Sequence, residues 1–285
     1  MIRNVAIFGN LGLLGREVEA KFSIDGNSVK VFNRANFSAL DSSDVMAGKL
    51  EGADLVINSI AFTKVDEAER NPGEASNING DFVRRLCFAC EKTESSLFHI
   101  STDYVFNGGS SDPYSVEDVP APNTAYGRSK LLGEQAINES DADCTIFRTS
   151  WLYGKTGSNF PITIAKKLLT GKPVRVVADQ FGSPTSAKDL SDVITRYSEL
   201  DQRPRIVHAT ASGGCSWYEF AREIAISLNL DPGEMVIPVS SAEFETLAKR
   251  PKYSVLDNAE GPLEPIGHWR ERWRAQSSEV LLGLQ

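Results

Sequence analysis

Tyr126 and Lys130 stand four residues apart in the stretch Tyr126-Gly127-Arg128-Ser129-Lys130, a spacing that puts both side chains on one helical face a turn apart. A phenol with its ordinary pKa near ~10 is a poor acid at neutral pH. A nearby ammonium favours the phenolate, so Lys130 is expected to lower the pKa of Tyr126 and make it a usable proton donor to a carbonyl. Upstream, Ser101-Thr102-Asp103-Tyr104-Val105-Phe106 closes an apolar run, and parallel sheets place ligands at such strand ends. Thr102 would supply a hydroxyl that positions the carbonyl beside Tyr126. Taken alone, Tyr-x-x-x-Lys recurs by chance in many helices, so the pair gains its weight from its surroundings.

The first of those surroundings is Gly9-Asn10-Leu11-Gly12-Leu13-Leu14-Gly15, which follows the apolar run 5–8 and opens a helical stretch through Arg16 and Glu17. Glycines here permit a tight turn, close approach of the backbone to a pyrophosphate and close helix packing, with the helix N-terminus facing the anion. Three glycines are weak evidence alone, but a strand before them and a helix after them are the context a dinucleotide site requires. The end of the second strand then selects the cofactor. A carboxylate there bonds a free ribose hydroxyl and repels a 2′-phosphate. This strand ends in Phe32-Asn33-Arg34, with no acid and one arginine. NADPH is therefore the expected cofactor, with NADH the second option. Asp41 lies farther along and could also reach the adenosine, and Lys130 could hold the nicotinamide ribose.

The elements that must position these residues read as alternating strands and helices. Residues 5–8, 29–32, 55–60, 97–101 and 145–148 form short apolar runs separated by helical stretches. That alternation predicts an α/β fold, a Rossmann-type doubly wound parallel sheet covered by helices. Beyond Trp151 the pattern loosens and Gly and Pro recur, so residues 1–150 are expected to form the NAD(P)-binding domain. Residues 151–285 would form mainly a smaller C-terminal substrate lobe, some segments returning to the sheet. Residues 107–124, rich in Gly, Ser, Asp and Pro, read as a mobile loop beside the site.

Composition excludes several classes. A net charge of −8 argues against a broad nucleic-acid surface, which needs clustered Lys and Arg. No run approaches the roughly 18 apolar residues of a membrane span, and the start of the chain lacks the pattern of a signal peptide, so a cytoplasmic location is expected. Cys87, Cys90, Cys144 and Cys215 are too few and scattered for a disulfide framework. Cys87 and Cys90 fall on an apolar helix face and read as buried thiols. His99, His208 and His268 have no ligand spacing, so no metal site is expected.

Several linked motifs now become specific together. Ser101-Thr102-Asp103-Tyr104-Val105-Phe106, Tyr126-x-x-x-Lys130, Phe147-Arg148-Thr149-Ser150-Trp151-Leu152-Tyr153 and Asp179-Gln180-Phe181-Gly182-Ser183-Pro184-Thr185 resemble, in order, the dTDP-4-dehydrorhamnose reductase family. Thr63-Lys64-Val65-Asp66-Glu67-Ala68-Glu69 and Arg250-Pro251-x-x-Ser254-x-Leu256 are similar to two further stretches of it, so the likeness spans nearly the whole chain. The resemblance implies NAD(P)H reduction of a 4-keto-6-deoxyhexose carried on a nucleoside diphosphate. It makes Tyr126 the proton donor, Lys130 its electrostatic partner and Thr102 the third catalytic member. It places Asp103, Tyr104 and Trp151 on the sugar, Gly12, Leu13 and Leu14 on the pyrophosphate, and Ala61, Phe62 and Thr63 along the cofactor.

Two departures stand out. Family members usually carry a small residue and then His before the threonine, where this chain has Ala61-Phe62-Thr63. Some members dimerise through a metal held partly by a glutamate at the position of Lys188; a cation there repels a metal, so a homodimer, if formed, is expected without a metal bridge. The diphosphate would meet Lys249, Arg250 or Lys252. Two rival readings accompany this one: a cofactor-bound regulatory subunit resembling that of methionine adenosyltransferase, and a sugar-nucleotide epimerase or dehydratase of the same fold.

Overall fold

The computed structural model describes residues 2–259 and 261–284. Five strands, β1 (Asn4–Phe8), β2 (Ser28–Phe32), β3 (Leu55–Asn58), β4 (Ser96–Thr102) and β5 (Cys144–Thr149), join a sixth, Ile206–His208, in one parallel sheet. The spatial order is Ile206–His208, β5, β4, β3, β1, β2. The order reverses between β1 and β3, and a crevice opens beyond the carboxyl ends of strands at such a reversal. Val5, Ala6, Ile7 and Phe8 are all buried, as is all of β3, which is why these strands read as unbroken apolar runs rather than alternating ones.

One face of the sheet is covered by α1 (Leu13–Ile24) and the helix Ala187–Ser198, which pack on each other. Val18, Phe22, Leu190 and Ile194 are buried between them and the sheet, each worth about 1.5–3 kcal/mol. The same apolar cluster continues through Tyr153 and Phe220 to Trp269 and Trp273, so the second half of the chain shares a core with the first. The helix Phe82–Thr93 covers the other face with Phe82, Val83, Leu86, Cys87 and Cys90. All four cysteines are buried free thiols. Elsewhere the second half is built from short two-stranded pairings, such as Val174–Val177 with Val236–Val239. No helix among the described residues is long and apolar enough to cross a membrane.

Two local expectations change. The strand expected over 55–60 ends at Asn58 because the Asn58 side chain turns the chain, its Oδ1 accepting from the Ile60 N–H at 3.0 Å. The loop 107–124, expected to be mobile, is anchored by buried Tyr114. Its ring stacks on Phe106 with centroids 4.3 Å apart, its hydroxyl donates to Asn107 Oδ1 at 3.1 Å, and its backbone pairs with Val255 and Asp257.

The sheet is tied to the helix Ala125–Asn138 by a buried ion pair. Arg148 of β5 and Glu134 meet at 2.7 Å with both side chains 2% exposed, and Ser101 donates to the same carboxylate at 2.5 Å. Removing one partner of such a pair leaves an uncompensated buried charge. Glu134→Ala should therefore lower stability by about 3–5 kcal/mol, read as a fall in the denaturant midpoint of unfolding.

Candidate active site

The cleft is built from the carboxyl ends of β1, β3, β4 and β5. At the end of β1 the chain turns at Gly9 with φ +90°, and the Gly9 N–H donates to Phe32 O of β2 at 2.8 Å. A Cβ on Gly15 would lie 2.2 Å from Gly9 O, so α1 can begin this close to the strand only with glycine there. Its first turn carries no acidic side chain, leaving unpaired N–H groups and the positive end of the helix dipole for an anion. Ser59, just after β3, closes the other side of the turn by donating to Phe8 O at 2.7 Å.

A cleft of about 640 Å³ runs from this turn to the chemical residues. Its lining includes Gly12, Leu13, Leu14, Gly15, Ala61 and Thr63 together with Thr102, Asp103, Tyr104, Tyr126, Lys130 and Trp151. The remaining expected residues lie beside or beneath it. Asn33 bonds to Asn10 and to the Ala35 N–H, shaping the turn after β2, and Arg34 is exposed on that turn. Asp41 is engaged by Lys49 at 2.9 Å. The Phe62 backbone is clasped by the Asn79 side chain, and Phe62, like Tyr126, packs against the cluster of Ala68, Ala75 and Ala125.

The helix Ala125–Asn138 presents Tyr126 and Lys130 because Thr124 caps its first turn, accepting from the Gly127 N–H at 3.0 Å. A Cβ on Gly127 would stand 2.1 Å from Tyr104 O, so glycine lets the helix meet the 3₁₀ turn Asp103–Val105 backbone to backbone. The Tyr104 and Tyr126 rings then pack edge to face at 5.6 Å. Thr102 donates to Asp103 Oδ1 at 2.9 Å and accepts from the Tyr104 N–H. Asp103 Oδ2 is buried without a hydrogen-bond partner.

The electrostatics correct one expectation. Burial pushes the Tyr126 phenol up to about 12; the Thr102 hydroxyl pulls it down and Asp103 pushes it further up. Lys130 does not lower it: its Nζ donates to Ile100 O at 2.7 Å and lies 3.1 Å from His99 Nε2. Tyr126 thus holds its proton at neutral pH, as a donor must. Burial draws Lys130 down to about 8 against the pull of Glu134. Asp103 is pushed up to about 6 by burial, against the pull of the nearby Ser254 and Thr102 hydroxyls.

Trp151 takes φ +46°, a conformation that is strained for a bulky residue and costs of order 1–3 kcal/mol. Its ring lies flat on Trp217, with centroids 3.3 Å apart and planes 4° from parallel, and Gly182 leaves room beneath it. Trp217 also lines the cleft. Sequence reasoning did not single it out, because nothing local links it to a residue 66 positions upstream.

The arrangement puts a glycine turn after β1 and a tyrosine that keeps its proton in one cleft. The RmlD substrate binding domain model matches residues 3–284. The chain belongs to that family. Among its relatives, the spore coat polysaccharide biosynthesis protein SpsK of Bacillus subtilis is 38% identical, over 96% of this chain and 97% of that one. A dTDP-4-dehydrorhamnose reductase of Mycolicibacterium smegmatis is 35% identical over 95% of this chain and 84% of its own. The crystal structure of a dTDP-4-dehydrorhamnose reductase from Bacillus anthracis in complex with NADP matches with a TM-score of 0.92 at 32% identity, covering 98% of this chain and all of that one.

Within this family frame, two cationic positions are already committed. Arg250 was expected at a diphosphate, but it is bound to Asp66 Oδ2 at 2.7 Å while Asp66 Oδ1 accepts from the Ala248 N–H. Two family motifs, 63–69 and 250–256, are thereby clamped together. Lys249 and Lys252 are exposed and lie outside the cleft lining. Lys188 pairs with Glu279 at 3.1 Å, and Glu279 also takes Lys155 at 2.9 Å.

Gly127→Ala should force the helix off the 3₁₀ turn. Overpacking of this kind costs about 1–3 kcal/mol, so the thermal midpoint should fall, and turnover should fall with it because Tyr126 moves.

Proposed function

We propose that this chain reduces the 4-keto group of a nucleotide-linked 6-deoxyhexose, converting dTDP-4-dehydrorhamnose to dTDP-L-rhamnose, with NADPH preferred and NADH a second cofactor. The observation that carries the reading is a Tyr126 phenol, protonated at neutral pH beside Thr102, in the same cleft that Leu11 to Gly15 of the glycine turn line. The names of the relatives point the same way.

The site fits a nicotinamide dinucleotide: with no Cβ at Gly15 to strike Gly9 O, α1 starts close against the turn after β1 with its free N–H groups available to a pyrophosphate. Gly12, Leu13 and Leu14 would hold the pyrophosphate, Ala61 and Thr63 would flank the cofactor, and Lys130 would hold the ribose. When bound, that cofactor supplies the hydride. Thr102 and Tyr126 orient the keto oxygen by hydrogen bonds, and Tyr126 protonates the alkoxide. Lys130, drawn down to about 8 by burial, is the proton source that restores the phenol. The Trp151–Trp217 wall suits the apolar face of a hexose ring, with Asp103 and Tyr104 for its hydroxyls. Lys188, paired with Glu279, leaves any homodimer of this chain to form without a metal bridge. A regulatory subunit would have no need of a buried donor aligned with a hydroxyl in this way.

Tyr126→Phe keeps the ring and its packing but removes the proton. NADPH oxidation against a panel of dTDP-, UDP- and GDP-linked 4-keto sugars should be at least ~100-fold slower in the variant, with cofactor binding unchanged. Near-normal reduction by the variant, or no reduction of any panel member by the wild type, would overturn the reading.

Arg34 supports the NADPH preference as the exposed cation following β2. Arg34→Ala should weaken NADPH binding by about 1.5–3 kcal/mol and leave NADH binding nearly unchanged in fluorescence titrations. Equal effects on both would show that Arg34 does not read the 2′-phosphate.

A further inference from the structure

From the cleft wall inward runs a row of three buried polar side chains, with Lys130 at the cleft end. Asn58 at the end of β3, His99 in β4 and Lys130 are 1%, 0% and 1% exposed. Asn58 Nδ2 is 3.0 Å from His99 Nδ1, and His99 Nε2 is 3.1 Å from Lys130 Nζ. The row is seated by Gly133, where a Cβ would come within 2.3 Å of Asn79 O and 3.4 Å of His99 Nε2.

The hydrogen-bond roles follow by elimination. The Ile60 N–H can only donate, and it meets Asn58 at 3.0 Å, so the atom facing it is the amide oxygen and the NH₂ faces His99. That NH₂ also only donates, so Nδ1 bears a lone pair. Burial, with the Lys130 charge adding to it, holds His99 neutral, well below the usual range, and a neutral imidazole with a bare Nδ1 carries its hydrogen on Nε2. The Nε2–H therefore points at Nζ. An ammonium has three hydrogens and nothing to accept with. The contact is satisfied only by a Lys130 amine, whose lone pair accepts from Nε2–H while its own hydrogens serve Ile100 O.

We infer that Asn58 and His99 are positioning residues for the reduction: Asn58 locks the His99 tautomer, and that tautomer primes Lys130 to surrender a proton to the Tyr126 phenolate. The inference rests on the catalytic reading of Tyr126 and Lys130. In the sequence of steps, the Tyr126 O–H bond breaks as the alkoxide takes its proton. One Lys130 N–H bond then breaks, a water of the cleft carries that proton to the phenolate oxygen, and the freed Nζ lone pair accepts from His99 Nε2–H. Water in the cleft returns a proton to the amine. His99 passes no proton onward, since Asn58 beyond it cannot titrate.

The charged and titratable groups around Lys130 are few. Its own helix contributes Tyr126 and Glu134, and Glu134 is matched by Arg148 of β5. From β4 and the turn after it come His99 and Asp103. The packed segment 77–93 presents Asn79 and Val83 at this point, neither of which titrates.

The test combines the pH dependence of kcat with ¹⁵N NMR of the histidine ring nitrogens, in the wild type, Asn58→Asp and Asn58→Leu. In the wild type, kcat should fall as pH rises through about 8, where Lys130 loses its charge, and His99 should appear as the Nε2–H tautomer. Asn58→Asp supplies only acceptors, so His99 should switch to Nδ1–H and the basic limb should move up by about one pH unit or more. Asn58→Leu removes the donor without adding charge and should move the limb in the same direction, which separates the tautomer from simple charge attraction. A wild-type Nδ1–H tautomer overturns the inference, even if neither variant folds. So does a limb that stays in place in both variants while NADPH binding is intact. A wild-type profile with no basic limb, together with Lys130→Met retaining turnover, would instead sink the catalytic reading of Lys130.

Discussion

The chemistry of the cleft depends on one constraint, the seating of the helix Ala125–Asn138 in backbone contact with its neighbours. At Gly127 it touches the carbonyl of Tyr104, and at Gly133 the carbonyl of Asn79. Any side chain at either position would move the helix outward, because packed interiors transmit strain rather than absorb it. With the helix seated, Tyr126 comes beside Thr102, and Lys130 reaches under the sheet to Ile100 and His99. Ser129 completes the fit, accepting from Asn79 and donating to Tyr126 O.

That seating takes several ionisable groups out of water, and the fold treats them in two ways. Glu134 and Arg148 are paired with short contacts, and the arginine lies over the Phe106 ring at 5.1 Å. They hold the helix to β5 and keep a negative charge one turn from Lys130. Asp103, Tyr126 and Lys130 have no full charge partners and shift instead, the acids upward and the base downward. Burial is the largest cause in all three, which is the pattern expected where proton transfer is the task. A phenol that keeps its proton and a lysine that gives one up easily serve reduction, whereas a phenolate formed in advance would not.

The second half supplies a rigid wall rather than an independent body. Trp151 in a strained conformation, stacked flat on Trp217 and backed by Gly182, gives an aromatic surface in the cleft wall. The Asp66–Arg250 pair and the Tyr114 anchor bind the late segment 248–257 to the sheet domain. The shape of the cleft is thereby set by contacts between residues far apart in the chain.

The sequence by itself determined the features that arise within a few residues. The apolar runs dictated five of the six sheet strands, since the strands of a covered parallel sheet are rich in apolar residues. The glycine turn and the Tyr126–Lys130 spacing were legible because strand-to-helix turns and helical faces are local geometry. Family likeness marked Trp151 and both clamped motifs, but not that Arg250 is bound to Asp66, nor that Trp151 rests on Trp217. Only the tertiary structure decided those pairings, the anchoring of 107–124 and the direction of the Tyr126 shift. Each depends on which distant groups surround a side chain and exclude water from it, and burial, unlike periodicity, is a property of the assembled fold rather than of neighbours along the chain.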